Sequence, residues 1–313
     1  MAAIYRRLSK IKARSTTPEA SFNLGMLMKI RFIAIAFVLL SVSAALAQDY
    51  PIRLARPLKA GDEENLSVTA KMSQSMSQAM GDAPAQEQKE EMTIQYDGVE
   101  KVEAVDANGK ETQASLTVDK FTQTASGTTT DIAPKGTVIG CSIVDKKQTY
   151  EIDGKAVEPA LAQALDLLMQ LSTGAPTDDE IFGTKEAKKK GDSWDINTAL
   201  AKAALEGSNG GMQFSDLAGK TTVDDVTGDA MKITAHLTGK AKPPLPANLT
   251  LDDSALDATF QGTYPLDTAK YQPEDSQQLK LTYSAHADIP FGGKMVVKFV
   301  MEQSVERKTT PVK

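Results

Sequence analysis

From Asn65 onward the stretch "NLSVTAKMSQSMSQAM" sets Leu66, Val68, Ala70, Met72, Met76 and Met80 in one phase, interrupted by Gln74 and Gln78. The alternate positions, Asn65 to Ala79, are nearly all polar. Side chains of a strand alternate between faces, so this period predicts one long strand, ~50 Å for about 16 residues, with one mostly buried face. A strand of that length must twist or curl. Residues 81–91, "GDAPAQEQKEE", read as a charged loop, and strand character resumes at Met92, Ile94 and Tyr96. Asn108-Gly109 and Asp153-Gly154 are hairpin signals, since a two-residue turn of the primed type needs positive φ at both positions. Between them "ASLTVDKF" and "GTVIGCSIV" read as further strands. The first half is therefore expected to be an antiparallel meander.

The period then changes. Leu161, Ala164, Leu165, Leu168 and Leu171 form a helical stripe with Pro159 near its start and Gly174 and Pro176 beyond its end. A second helix is expected in "NTALAKAALEG", with Asn197 as N-cap and Gly207 past the C-terminus. Strands return in "KTTVDDV", "AMKITAHL", "LDATFQGTY", "LKLTYSAHADI" and "KMVVKFVMEQSV". The Thr227-Gly228-Asp229 turn, the stiff "KPPLPANL", the loop "PLDTAKYQPEDSQQ" and Gly292-Gly293 separate them. Both helical stripes need an apolar surface, and the sheet supplies it. The expected fold is mainly β (α+β): a single, strongly curved antiparallel sheet, half-barrel-like, with helices near 159–172 and 197–206 on its concave face. No composition break divides 48–313, which is expected to be one domain.

Between the helices lies "FGTKEAKKKGDSWD", holding the only tryptophan of the chain. Lys190-Gly191-Asp192 echoes Lys59-Ala60-Gly61-Asp62 ahead of the first long strand, and Gly-Asp supplies a turn. Trp194 then packs its ring on the core while the indole N–H finds a partner. Lys188, Lys189 and Lys190 do not make a phosphate cradle, because no glycine-rich loop with Lys and Ser or Thr at the Walker spacing is present.

Charge and chemistry narrow the function. Of 35 basic and 41 acidic residues, seven basic ones (Arg6, Arg7, Lys10, Lys12, Arg14, Lys29, Arg31) and Glu19 precede residue 48; the remaining 28 and 40 give a net charge of −12. Such a surface repels nucleic-acid backbones. "MKIRFIAIAFVLLSVSAALAQ" from Met28 has a basic start, an apolar run and Ala45-Leu46-Ala47, the pattern of a cleaved signal peptide; 1–47 is assigned to it, with Met26 or Met28 as alternative starts. The uncharged run of 32–47 is shorter than the ~20 residues a spanning helix requires. The expected location is periplasmic or secreted, with membrane contact only through that peptide.

Cys141, the only cysteine, shares phase with Ile139 and Ile143 and behaves as a small hydrophobe. His236 and His286 fall on the polar phase of their strands, where neighbouring strands would be needed to bring them together. No Gly-x-Ser-x-Gly nucleophile, metal-ligand spacing or aromatic sugar platform is found, so no enzyme activity, metal or other cofactor is expected. The spacing of Met72, Met76 and Met80 also fits an amphipathic helix or a thioether copper(I) site. The serine-rich alternate face decides for strand.

The motifs at Lys59, Gly61, Asp62, Phe182, Gly183, Gly191, Asp192 and Trp194 resemble those of secreted bacterial proteins of unknown function, in which a "K-x-G-D" start precedes a long strand and "FGTK…GDSW" recurs centrally. The order of elements is similar to periplasmic lipoprotein carriers, which implies a curved antiparallel sheet closed by helices. The leading expectation is a non-catalytic envelope protein binding an apolar or lipid-like molecule, with Met72, Met76, Met80, Leu165, Leu168 and Trp194 as candidate lining. The alternative is a structural or protein-interaction module of the envelope with a filled core; an envelope hydrolase and a methionine-based copper(I) handler rank behind. Mass spectrometry of the native protein is expected to find Gln48 or its pyroglutamate at the N-terminus, and an intact Met28 would contradict cleavage.

Overall fold

The computed structural model describes residues 49–312 except 57, 81–83, 108, 146, 170, 172–175, 209–210, 271 and 290–292. The apolar run of 28–47, Asn108, Gly174 and Gly292 lie outside the described residues. The N-terminal half carries β1 (Glu63–Met80), β2 (Gln86–Val105), β3 (Glu111–Ala125), β4 (Thr128–Asp131), β5 (Val138–Val144), β6 (Lys147–Ile152) and β7 (Lys155–Ala156). Helices α1 (Pro159–Asp166) and α2 (Asp178–Ile181) follow, then β8 (Ser193–Asp195) and α3 (Thr198–Ser208). The chain returns through β9 (Gln213–Thr227), β10 (Ala230–Lys242), β11 (Thr250–Pro265), β12 (Glu274–Ile289) and β13 (Gly293–Pro311).

All thirteen strands belong to one antiparallel sheet that does not close, in the order β7-β6-β5-β3-β2-β1-β13-β12-β11-β10-β9-β8, with β4 attached to β3. Two meanders run outward from the middle, and the first and last strands meet there, in register from Glu64↔Pro311 to Met80↔Met295. Register shifts at Asp97/Gly98, Val102/Ala104, Lys232/Ile233, Thr238/Lys240 and Leu251/Asp253 bend the strands, as an unpaired extra residue does.

The long alternating segment forms β1, longer than the pattern required. The charged loop expected over 81–91 is corrected: 86–91 are strand, paired with β1 at Gln74↔Glu90, Met76↔Gln88 and Gln78↔Gln86. Hydrogen bonding to an already formed strand outweighs the lack of apolar alternation there. β2 runs six residues past its first pair with β3, Met92↔Ala125, so 86–91 present a free edge. Asp153 and Gly154 form the expected two-residue turn, both with positive φ. Between β2 and β3, Asp106 N–H donates to Lys110 C=O at 2.8 Å and Gly109 N–H to Asp106 C=O at 3.0 Å.

The first helix stops earlier than its apolar stripe. The side-chain amide of Gln148 on β6 captures the chain after α1, donating to Met169 C=O (3.1 Å) and accepting from Leu171 N–H (2.6 Å). These bonds replace helical ones, so Leu171 is buried outside a helix. Asn197 caps α3 as expected, its Oδ1 accepting from Leu200 N–H, but Gly207 lies within the last turn.

The two Gly-Asp turns are one motif used twice. Asp62 accepts from Lys59 N–H and Asp192 from Lys189 N–H through side-chain oxygens, at 2.8 and 3.1 Å. Gly61 (φ 92°) donates to Val102 C=O and Gly191 (φ 87°) to Val223 C=O, each at 2.8 Å. Positive φ at both positions is glycine's conformational domain. Each turn thus fastens the start of a strand, β1 or β8, to the far end of its neighbour.

Both longer helices lie on one face of the sheet. Leu165 and Leu168 of α1 pack with Leu66, Val68, Ile94, Tyr96 and Ile139. Ala201 of α3 packs with Ile181, Ile196, Ala235, Leu237 and Ala258. Trp194 is half-buried beside Ile52, Leu54, Val223 and Met231, and its indole N–H donates to Phe182 C=O at 2.7 Å. Because the ring is half rather than fully buried, Trp194→Ala is expected to cost about 2–3 kcal/mol in urea unfolding, below the usual loss for a fully enclosed tryptophan. A change within ~0.5 kcal/mol would show that the ring anchors nothing.

Candidate functional site

The registers show what lies beside the methionine row. Met76 on β1 stands opposite Phe299 on β13, which stands opposite Tyr283 on β12. One row nearer the hairpin tips, Met80, Met295 and Ala287 align in the same way, with Gln78, Val297 and Ala285 between the two rows. All share the face that carries Leu66 and Val68, hence the face bearing the helices.

No helix covers these rows among the described residues. The cluster beside α3 ends at Leu281 and Met301, and the α1 cluster ends at Met92 and Val305. Met72, Met76, Met80, Tyr283, Met295, Val297 and Phe299 belong to none of the buried clusters. Met76 and Met80 are 40% and 55% exposed, and Met295, Val297 and Phe299 are half-buried. Tyr283 and Phe299 stack at 4.9 Å with an interplanar angle of 25°, and desolvation raises the pKa of the Tyr283 phenol.

The glutamines within this face serve the thioethers. Gln74 donates to Met72 Sδ at 3.6 Å and Gln78 to Met295 Sδ at 3.0 Å. Strand conformation separates Met72, Met76 and Met80 by about 13 Å each, so no two of them can share an ion.

The six candidate lining residues are not brought together. Met72, Met76 and Met80 form the open row. Leu165 and Leu168 are buried (0% and 4% exposed) in the core under α1, and Trp194, on the edge strand β8, packs with Ile52, Leu54, Val223 and Met231. The space between α3 and the sheet, lined by Leu205, Phe214, Leu256 and Leu281, measures only about 20 Å³. Such a volume holds little more than one water. The residues that complete the open face, Tyr283, Met295, Val297 and Phe299, are in "LKLTYSAHADI" and "KMVVKFVMEQSV". Their alternation was readable, but only the pairing of the last strand with the first places them beside Met76.

Other chemistry-bearing groups are dispersed. Desolvation pushes the buried Cys141 thiol up to about 12. His236 meets Asp257 at 3.1 Å and His286 meets Asp252 at 2.5 Å; β11 lies between their strands, so the rings do not pair with each other. An open groove of about 620 Å³ crosses β2, β1, β13, β12 and β11 on the polar face. Lys71, Glu91, Asp257, Lys280 and Glu302 line it, with Lys280 and Glu302 paired at 2.7 Å, and no histidine or cysteine reaches it. Opposite charges there satisfy one another.

No family model matches this sequence, and no curated protein matches it. Among solved structures, one of lipovitellin described for its lipid–protein interactions aligns at 10% identity with a TM-score of 0.37, covering 82% of this chain and 26% of that one. This chain thus spans about a quarter of its length. An outer membrane protein of Vibrio cholerae, OmpT lacking loop L8, aligns at 8% identity and a TM-score of 0.13, over 78% of this chain and 100% of that one. Similarities this low carry no argument about function.

Exposure separates the two kinds of candidate residue energetically. Met76→Gln and Met80→Gln are expected to change unfolding free energy by less than ~0.5 kcal/mol. Leu165→Ala should cost about 2–5 kcal/mol, because it empties a closed core. Chemical denaturation of the three variants checks both.

Proposed function

We propose that this protein is exported to the cell envelope and there binds an apolar, lipid-like ligand, without catalysis, on the uncovered end of its sheet. The observation that carries the proposal is the row Met76, Phe299 and Tyr283 with Met80 and Met295 beside it, a contiguous apolar surface left without a helix and bounded on the β12 side by the buried Ala285 and Ala287. Contiguous exposed apolar surface on a folded chain marks an interaction site. Flexible, polarisable thioethers beside stacked rings suit acyl or polycyclic partners of varied shape. The basic and apolar pattern of 28–47 supports export.

The ligand is placed on an open face, since the crevice under α3 is filled. That filled crevice favours a second reading, an envelope interaction module whose same face receives a protein. Native mass spectrometry of freshly isolated protein should show co-purifying lipid. After delipidation a fluorescent fatty acid should bind, and Met76→Gln with Phe299→Ser should weaken it by about tenfold or more while the variant stays folded, with native circular dichroism and a cooperative unfolding transition. Absence of lipid together with equal probe binding by the variant would overturn the ligand reading and leave the interaction module.

A further inference from the structure

The opposite end of the central strands holds ionisable groups where the rest of this face holds a core. Glu64 on β1 stands opposite Glu100 on β2, which is 4% exposed, and the two side chains are hydrogen-bonded. Arg307 on β13 reaches across β1 and places Nη2 3.7 Å from Glu100 Oε2. Asp275 on β12 is paired in register with Arg307. From β3, Glu111 faces Glu100, Glu64 and Arg307, and its Oε1 is buried without a hydrogen-bond partner. Four carboxyl groups thus surround one guanidinium at the junction of the first and last strands.

The neighbouring segments pack on this cluster. Asp62, just ahead of β1, faces Glu64. Asp178 of α2 faces Asp275 and Lys110, and Lys110 Nζ donates to Pro176 C=O at 2.7 Å. Tyr264 on β11 faces Asp178, Asp275 and Arg56, whose guanidinium lies over its ring. The described residues ahead of β1 are held by Leu54 N–H to Asp179 Oδ1 (2.6 Å), Leu58 N–H to Gly109 C=O (3.0 Å) and Gly61 N–H to Val102 C=O (2.8 Å).

We infer that this cluster is a proton-controlled latch, which holds the described residues of the segment ahead of β1 and of the β2–β3 connection at the junction while Glu64 and Glu111 are protonated and loosens them when those two groups ionise. With all four ionised, three negative charges remain after Arg307 is matched, at sites shielded from water where their repulsion is strong. Desolvation, then the Glu100 charge, brings Glu64 to about 7 and Glu111 to about 8; desolvation also raises Asp275 and Asp178. Desolvation opposes the charge of Arg307, yet Glu100, Asp275, Glu64 and Glu111 raise its pKa, so it stays charged throughout. Carboxyl groups whose folded pKa exceeds the unfolded value near 4.5 bind more protons when folded. Their stabilisation is therefore full below about pH 4.5 and is lost as pH rises through 7 and 8.

Hydrogen–deuterium exchange of the full chain at pH 5.5 and 8.5, corrected for intrinsic rates, tests the latch. Protection of the amides of Leu54, Leu58, Gly61 and Val102 should fall about tenfold or more at the higher pH, while Leu281 to Ala285 on β12, paired on both sides and farther along the strand from Asp275, keep theirs. In Glu64→Gln with Glu111→Gln, neutral at both pH values, the pH difference should shrink to within about twofold. Equal protection at both pH values in the native chain, or an undiminished difference in the variant, would overturn the proposal. The native comparison decides by itself if the double variant fails to fold.

Discussion

The antiparallel ladder between β1 and β13 joins the two ends of the folded chain, and every other part of the structure leans on it. Each half is a meander of local hairpins that needs only its neighbours in sequence. The union of the halves requires residues nearly the whole chain apart, such as Val68 and Arg307, to find one register. Closing so long a loop costs entropy before any contact repays it, and topologies of this kind fold slowly. The ladder then makes one continuous apolar face out of two sheets, each of which has its own helical cover.

Along this seam the helix-bearing face takes three characters in succession. At one end lie Glu64, Glu100, Asp275 and Arg307; in the middle Leu66, Val68 and Ala70 are sealed beneath the N-terminal cluster; at the other end Met76, Phe299 and Tyr283 are left open. A single alternating strand is thus an interior polar junction, a core and a surface in succession. From Glu64 to Met76 the strand runs about forty ångströms. Events at the charged end reach the apolar end only through the stiffness of the sheet.

Much of the fold was legible because alternation reports a half-buried strand directly, as in "ENLSVTAKM", and because the Asp153-Gly154 turn and the Asn197 cap announce themselves. Where sequence-based expectation failed, a distant partner had taken over. Residues 86–91 became strand because β1 offered them hydrogen bonds. The helix after Pro159 ended at Asp166 because Gln148, on another element, captured its outgoing backbone. The site was half legible for the same reason: the methionine row is local, whereas its aromatic neighbours arrive from the last two strands. The carboxylate cluster was not readable, since Glu64, Glu100, Glu111 and Asp275 look like ordinary solvated charges until the register stacks them.

The free edge of β2 bears on how such a surface avoids self-association. An uncovered apolar face continuing to the tip of a long hairpin, beside unpaired backbone N–H and C=O groups, is the geometry from which sheets grow by adding strands from another molecule. Glu87, Lys89, Glu90 and Glu91 occupy that edge, Lys89 and Glu91 in contact with each other, so an incoming strand must desolvate a dense set of charges before it gains a hydrogen bond. Those charges make the edge a poor template for strand addition, a protection that the uncovered apolar face beside it does not share. The same hairpin thus carries its charge along the edge and its apolar residues on the face, in two perpendicular directions.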